Sequence, residues 1–347
     1  DGIRDWSVTG VQTCALPIFF DVGSVDTEDD TYTGETQFMY TYTMNLNTSF
    51  TGDDNLYTRI KTGNHSSWSK TKSDYNTYLS SGNGNGDALK VDKLWYSTPV
   101  GENHTVTIGP KIENYYMHAT TPSIYEPVLK SFTLGGNAAA YGASTSPGIG
   151  WAYNADNGFA ISSNVTSQKG NVTGVLNDVS KTSWATQVGY TQSNFSVSAL
   201  VNLKYNGWTD SYFMSTNGKA RPGDGNSTNI GLRGWWRPAE TGGATPSISV
   251  GFDTSEIDAS SNSNTTMYFV GLNWQDIFQA DDRIGLAFGQ PQKNESETTD
   301  PFAWEAYYSF QVNDSVNVTP AIFGGSDRNG TASSDYTGAV LETTFKF

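Results

Sequence analysis

The chain carries a single cysteine, Cys14, among 347 residues. That excludes an internal disulfide framework and any multi-cysteine metal site. Long hydrophobic runs are missing as well: no apolar stretch approaches the roughly 18 residues of a membrane helix. Positive charge is scarce, with 20 Lys and Arg against 35 Asp and Glu and a formal charge of −15. So acidic a chain lacks the basic footprint of general nucleic-acid binding. Charged residues together make up 16%, below the roughly 25% of an average soluble domain, which argues against charge-rich disorder. What is present is 13% aromatic residues in a chain only 36% hydrophobic. With abundant Ser, Thr, Asn, Gly and Tyr, this is sheet and turn material rather than Leu/Ala-rich helix.

The opening segment, Asp1 to Ile18, reads DGIRDWSVTGVQTCALPI. It matches in register the conceptual translation of a common sequencing-library adapter, with Trp6 and Ser7 falling on its index. Residues 1–18 are therefore set apart as an adapter-derived artefact, as any such scar should be, and residues 19–347 are taken as the domain. On this reading the native start of the gene is missing, along with whatever leader it encoded.

Beyond that segment the dominant pattern is alternation. Phe38, Tyr40, Tyr42, Met44 and Leu46 occupy every second position; so do Phe195, Val197, Ala199, Val201 and Leu203, and so do Phe302, Trp304, Ala306, Tyr308, Phe310 and Val312. Successive side chains of a strand point to opposite faces, so each set marks one apolar face, with Gln37, Thr41 and Thr43 or Glu305, Tyr307, Ser309 and Gln311 on the other. The pattern predicts sixteen strands: 19–24, 35–48, 55–63, 89–98, 104–111, 148–154, 158–168, 182–190, 194–206, 228–237, 246–255, 265–275, 282–290, 300–312, 315–324 and 336–347. The connections alternate in character, short at 49–54, 99–103, 155–157 and 191–193, mostly longer at 25–34, 64–88, 112–147 and 206–227. An up-and-down outer-membrane barrel has this grammar, with short periplasmic turns, long external loops and an even strand number. The chain also ends on an aromatic, Leu341-Glu-Thr-Thr-Phe-Lys-Phe347, like the C-terminal signature of bacterial outer-membrane barrels. In hydrocarbon every backbone group must be bonded internally, which strands achieve only in a closed barrel. The expected fold class is therefore all-β, a transmembrane up-and-down antiparallel barrel of about sixteen strands. Tyr42, Trp95, Tyr96, Trp151, Tyr153, Trp236, Trp274 and Phe347 are expected in interfacial girdles.

The segment Leu94-Trp-Tyr-Ser-Thr-Pro-Val-Gly-Glu-Asn-His-Thr-Val-Thr-Ile-Gly-Pro110 and the stretch MNLNTSFTGDDNLYTRIKTGN from Met44 to Asn64 resemble successive hairpins of cyanobacterial porins in the carbohydrate-selective porin family. The terminal LETTFKF fits as well. The resemblance runs diffusely from Phe19 to Phe347. It implies a sixteen-stranded channel in the outer membrane, in contact with lipid and lipopolysaccharide and commonly a homotrimer, passing carbohydrate, iron or other inorganic solutes. Family members usually carry an N-terminal surface-layer-homology domain that holds peptidoglycan; here that partner would be reached only through a missing segment.

By analogy with general porins, the third external loop, 112–147, is expected to fold inward. Its middle, Pro122 to Phe132, is expected to form a short helix capped by Thr121 with Pro122 at its first position. Ile124, Val128, Leu129 and Phe132 would pack on the wall, and Glu113, Glu126 and Lys130 would face the pore. Parity then assigns the lumen wall. If Leu56, Thr58 and Ile60 face lipid, Arg59 and Lys61 face inward; Lys111, Lys204, Arg233 and Arg237 follow by the same rule. A charge at the lipid midplane would cost roughly 2–4 kcal/mol. Many carboxylates lie instead in loops, such as Glu28, Asp29, Asp156 and Glu297. Wall cations and loop carboxylates are expected to set up a transverse field at the constriction.

No catalytic constellation emerges. His65, His104 and His118 have no metal spacing, there is no nucleophile elbow, and the Gly82–Gly86 run lacks the Lys-Ser/Thr of a phosphate cradle. No cofactor is expected; a loop calcium site at Asp281-Asp282 or Glu28-Asp29-Asp30 is the one candidate. The reading is a water-filled channel for small hydrophilic solutes, not an enzyme. The alternatives are a soluble surface or carbohydrate-binding β-protein, which would stay monodisperse without detergent, and an outer-membrane barrel enzyme, which would hydrolyse lipid or ester substrates.

Overall fold

The computed structural model describes residues 13–70, 75–208, 225–259 and 261–346. Trp6, Phe347 and most of the fifth long loop lie outside them. Sixteen antiparallel strands form one closed sheet: β1 (Ile18–Thr27), β2 (Gln37–Thr48), β3 (Asn55–Gly63), β4 (Lys90–Val100), β5 (His104–Ile112), β6 (Ser146–Asn154), β7 (Phe159–Gln168), β8 (Lys181–Thr191), β9 (Phe195–Tyr205), β10 (Ser227–Trp236), β11 (Ser247–Ile257), β12 (Asn264–Gln275), β13 (Arg283–Asn294), β14 (Phe302–Asn313), β15 (Val316–Ser326) and β16 (Tyr336–Phe345). Each strand pairs with its sequence neighbours, and β16 closes the ring on β1, from Tyr336 opposite Thr27 to Phe345 opposite Ile18. Ahead of β1, Thr13–Ala15 pairs with β2, Thr13 facing Asn47. The expected strand 19–24 is longer at both ends, Ile18–Thr27.

The burial pattern is inverted relative to a soluble protein. Outward positions such as Phe38, Ile108, Ile149, Val197, Leu232 and Phe252 are exposed, while inward Asp21, Gln187, Asp253 and Glu305 are fully or almost fully buried. The alternation survives along β14, where Ala303, Glu305 and Tyr307 point in and Phe302 points out.

Register shifts interrupt this parity in four places, between Thr266 and Tyr268, between Gln311 and Asn313, and at two bulges in β4 and β5 that bear on the lumen charges. In the β3–β4 pair, Arg59 faces Lys93 and Ile60 faces Val91, leaving Asp92 as the extra residue. In β5, pairing slips between Gly109 and Ile112. A one-residue slip sends the following side chains to the opposite face. Ile112 is consequently buried and Lys111 exposed, its ammonium 2.6 Å from the Val91 carbonyl.

The short turns are tied by their own carboxylates. Asp54 accepts from Ser49 Oγ, the Phe50 and Thr51 N–H groups and Tyr96 O–H. The Ser49 hydroxyl, with those other donors, holds its carboxyl well below the usual range. Asp282 accepts from the Ile277, Phe278 and Gln279 N–H groups and from Tyr308. Each carboxylate thus closes its turn by reaching back to backbone N–H groups three to five residues earlier. This bonding also engages the Asp282 carboxylate of the candidate calcium loop, as Arg328 engages Asp29 at 2.8 Å. Among the described residues no group of three or more His, Cys, Asp or Glu is arranged to hold a metal.

Candidate channel constriction

The inner wall is polar, but the lumen is partly filled. The third long loop, residues 113–145, runs inside the barrel, pinned to the wall from β7 round to β14. Asn114 donates to Asn164, Thr120 N–H to Gln187, and Ile124 N–H to Ser249 Oγ. On β14, Glu305 accepts from Tyr125 O–H at 2.8 Å, Val128 N–H at 3.1 Å and Leu129 N–H at 2.7 Å. These distant acceptors explain why the expected helix over 122–132 is not there. Residues 121–129 are non-helical, and the loop's helical turns are the 3₁₀ segments Asn114–Met117 and Lys130–Gly135. A helix would direct those N–H groups to its own carbonyls; the wall takes them instead. Val128, Leu129 and Phe132 do pack inward, with Ile124 half-buried.

Small inward residues make room for the loop. A Cβ on Gly251 would sit 1.8 Å from the Gly135 carbonyl oxygen, and one on Gly271 2.6 Å from the Tyr125 ring.

A second element, unexpected from the sequence, also enters the lumen: the loop 64–89. Trp68 and Leu79 are fully buried against Leu129, Phe132, Phe269 and Phe323 in an apolar cluster inside the barrel. Ser80 N–H bonds the Val128 carbonyl at 2.7 Å and Lys130 N–H the Tyr78 carbonyl at 2.8 Å. At the β1 wall, Ser81 Oγ and His65 Nε2 each lie 3.1 Å from Asp21 Oδ2.

The two loops leave a polar recess of about 420 Å³ against β3 and β4. The structure brings four of the expected residues together here: Arg59, Lys61, Glu113 and Lys130. It adds Asp92 and Lys93. Arg59 Nε donates to Asp92 at 2.6 Å and Nη1 to Tyr116 O–H at 3.1 Å. Lys93 Nζ lies 3.2 Å from Glu113 and also bonds Thr145. Burial lowers the Lys130 ammonium below its ordinary lysine value; Lys93 and Arg59 act in the same direction, while Glu113 opposes. An aromatic wall continues from this cluster: Tyr57 stacks on Trp95 at 4.9 Å, and Tyr116 lies 6.1 Å from Trp95. Trp95, expected in an interfacial girdle, thus packs against the loop in the lumen.

The other five expected residues lie elsewhere. Glu126 pairs with Arg283 in a separate recess of about 610 Å³ toward the short turns. Lys204 and Arg233 point inward as expected, but both are buried under the third loop. Lys204 donates to the Ala139 and Gly142 carbonyls; Arg233 donates to Leu134, Gly136 and, at 2.6 Å, Asp253. They anchor the loop rather than face water. Lys111 is displaced by the bulge, and Arg237 lies in a short turn, donating to the Ser193 carbonyl. The expected transverse field therefore differs in form: carboxylates touch the wall cations directly, and the loop contributes a cation of its own.

The bulge that turns Asp92 and Lys93 toward the lumen has no signature in the alternation. Trp95 shares the parity of Lys93, and that was the available signal.

The barrel is that of bacterial porins. No family model matches the chain. In solved structures it is similar to OprB of Pseudomonas putida, at 11% identity and TM-score 0.67 over 97% of this chain and 94% of that one. It is also similar to a loop-deletion mutant of OmpT, an outer membrane protein of Vibrio cholerae, at 10% identity and TM-score 0.60, covering 97% and 99%. A mutant of the Rh. blastica porin gives 11% and 0.59, covering 97% and 100%. An uncharacterized protein of Synechocystis is 24% identical over 90% of this chain; the match spans 64% of that protein's length.

Proposed function

We propose that this chain is an integral outer-membrane porin through which small hydrophilic solutes diffuse passively. The observation that carries the reading is the inversion of burial in a closed ring, apolar outside and ionic inside, with a loop fastened across the lumen. A closed ring leaves no strand edge unpaired in lipid. The outward residues would face the acyl chains and the inward ones water. The hairpins that resemble cyanobacterial porins of the carbohydrate-selective family favour placing the chain with them, and a homotrimer is the assembly that placement implies.

Inorganic ions are the first solutes the charged recess fits. A sugar is favoured by one observation: the Tyr57, Trp95 and Tyr116 rings beside the Arg59–Asp92 pair offer a stacking face next to hydrogen-bonding groups. Iron species remain a third solute class of the same channel. The test is reconstitution of detergent-purified protein into planar bilayers. Stepwise conductance is expected, with maltose and ferric citrate compared as competitors; a protein that stays monodisperse without detergent and gives no steps would refute the porin reading. In a salt gradient, Arg59→Glu/Lys61→Glu should shift the reversal potential toward cations. An unchanged potential would remove these side chains from the selectivity site.

A further inference from the structure

The recess against β3 and β4 has an unbalanced charge. Among the described residues, Arg59, Lys61, Lys70, Lys93 and Lys130 line it with only two carboxylates, Asp92 and Glu113, and Lys70 donates to the Gly84 carbonyl at 2.8 Å. Those two carboxylates are already taken: Asp92 holds Arg59, and Glu113 lies against Lys93 and accepts from Tyr115. Among the described residues, the ammonium groups of Lys61 and Lys130 have neither a carboxylate nor a hydrogen-bond acceptor. Lys130 instead sits 5.7 Å from the centre of the Tyr78 ring, and the two lysines repel each other across the recess. Asn83 lines the same recess with a buried side-chain amide nitrogen that also lacks an acceptor. Three donor groups thus line one space, while Arg59 and Lys93 are held by ion pairs and Lys70 by a carbonyl.

We propose that this recess is a binding subsite for a compact divalent oxyanion of the inorganic phosphate or sulfate class, occupied in transit through the channel. The inference rests on the porin reading and names the solute that this site selects. Two uncompensated positive charges match a dianion. A tetrahedral oxyanion has several acceptor oxygens and can bridge both ammoniums and the amide at once; chloride, a single point acceptor, cannot. A neutral sugar would leave both lysine charges uncompensated. Because Arg59 and Lys93 are ion-paired and Lys70 is bonded to the Gly84 carbonyl, the site holds the anion through two lysines rather than five cations, consistent with release as well as capture. Lysine suits that role, being a compact charge with three rotatable donors.

The test is phosphate block of chloride current through the purified, bilayer-reconstituted protein in KCl, with ionic strength held constant. Inorganic phosphate and sulfate are each expected to reduce the current saturably. The half-blocking concentration should rise about tenfold or more in Lys61→Gln and in Lys130→Gln, as expected for loss of a hydrogen bond to a charged group. Block should vanish in the double variant, while Lys111→Gln, displaced from the recess, blocks as wild type. If the double variant fails to assemble, the wild-type titration and the single variants decide. Normal conductance with no saturable block, or block unaffected by either lysine substitution, overturns the subsite and leaves the porin reading standing. Absence of any conductance removes the porin reading and the subsite with it.

Discussion

Glu305 is the side chain on which the position of the third loop most depends, and its removal has a calculable signature. One oxygen, Oε1, accepts from Tyr125 O–H and Val128 N–H; the other, Oε2, accepts from Leu129 N–H. A hydrogen bond to a charged group contributes about 1.5–3 kcal/mol. In Glu305→Gln the remaining carbonyl oxygen can serve Tyr125 and Val128, but the amide nitrogen must then face the Leu129 N–H, donor to donor. One bond is lost, and local opening should become easier by about 1.5–3 kcal/mol, or roughly 10–100-fold in amide exchange at Leu129. Exchange at Val128 should change much less. Glu305→Ala loses all three bonds and should release both amides by about 100-fold or more, less than a simple sum because lumen water can enter. The strand ladders are untouched, so the barrel should keep the mobility of a folded barrel in an unboiled gel. Hydrogen exchange read by mass spectrometry, with peptides resolving 128 from 129, is the assay. Equal acceleration at both residues in the Gln variant would refute the assigned bonding, and unchanged exchange in Glu305→Ala would refute the anchoring role.

Gly251→Ala should displace the loop without altering any charge. Its Cβ would fall 1.8 Å from the Gly135 carbonyl oxygen, so exchange around Leu134 to Gly136 should rise and conductance should change; wild-type values for both would contradict the close approach. At the external rim, hydrogen bonds from Asn264 and Ser263 hold the Glu295 carboxyl down at about 2, against an ordinary 4.5. The stabilisation is therefore complete above about pH 4.5 and is lost as pH falls toward 2. A carboxyl-carbon NMR titration of Glu295 with its midpoint at 4.5 or above would show that the clamp does not form.

The barrel was legible because lipid and water act on alternate residues. Phe38, Tyr42 and Met44 against Gln37, Thr41 and Thr43 state a period of two with no need for tertiary information. Sixteen strands, their antiparallel order and the loop-length grammar follow from that local signal. The lumen was not legible in the same way. The third loop is shaped by partners such as Glu305, which lies 180 residues from Tyr125 in the chain, and no local propensity records an acceptor that far away. Thr121-Pro122 reads as a helix start until Ser249, Asn273 and Glu305 claim the N–H groups. The bulges at Asp92 and before Ile112 were hidden for a different reason: each adds one residue, changes no composition and flips everything after it. Strict parity on that account places Lys111 on the wrong face and does not single out Asp92 and Lys93.

Parity alone also cannot separate two fates of an inward cation. Arg59, Lys61, Lys204 and Arg233 all point to the lumen, yet only the first two border an open recess. The difference lies in what covers them. An extended loop crossing a barrel leaves its carbonyls without helix or sheet partners, and a buried carbonyl needs a donor. Lys204 and Arg233 supply donors to Ala139, Gly142, Leu134 and Gly136. On β3 the third loop meets the wall through side chains, the Tyr116 hydroxyl accepting from Arg59, and no loop carbonyl is bonded to Arg59 or Lys61 among the described residues. Cations under the loop therefore hold the loop in place, and cations beyond it are left to border the open recess. Removing Arg233 would leave Asp253 buried and unpaired, a cost of about 3–5 kcal/mol that falls on loop position. Among the described residues the Lys61 ammonium has no ion pair or hydrogen bond to break, so the effect of Lys61→Gln should fall on the passing ion.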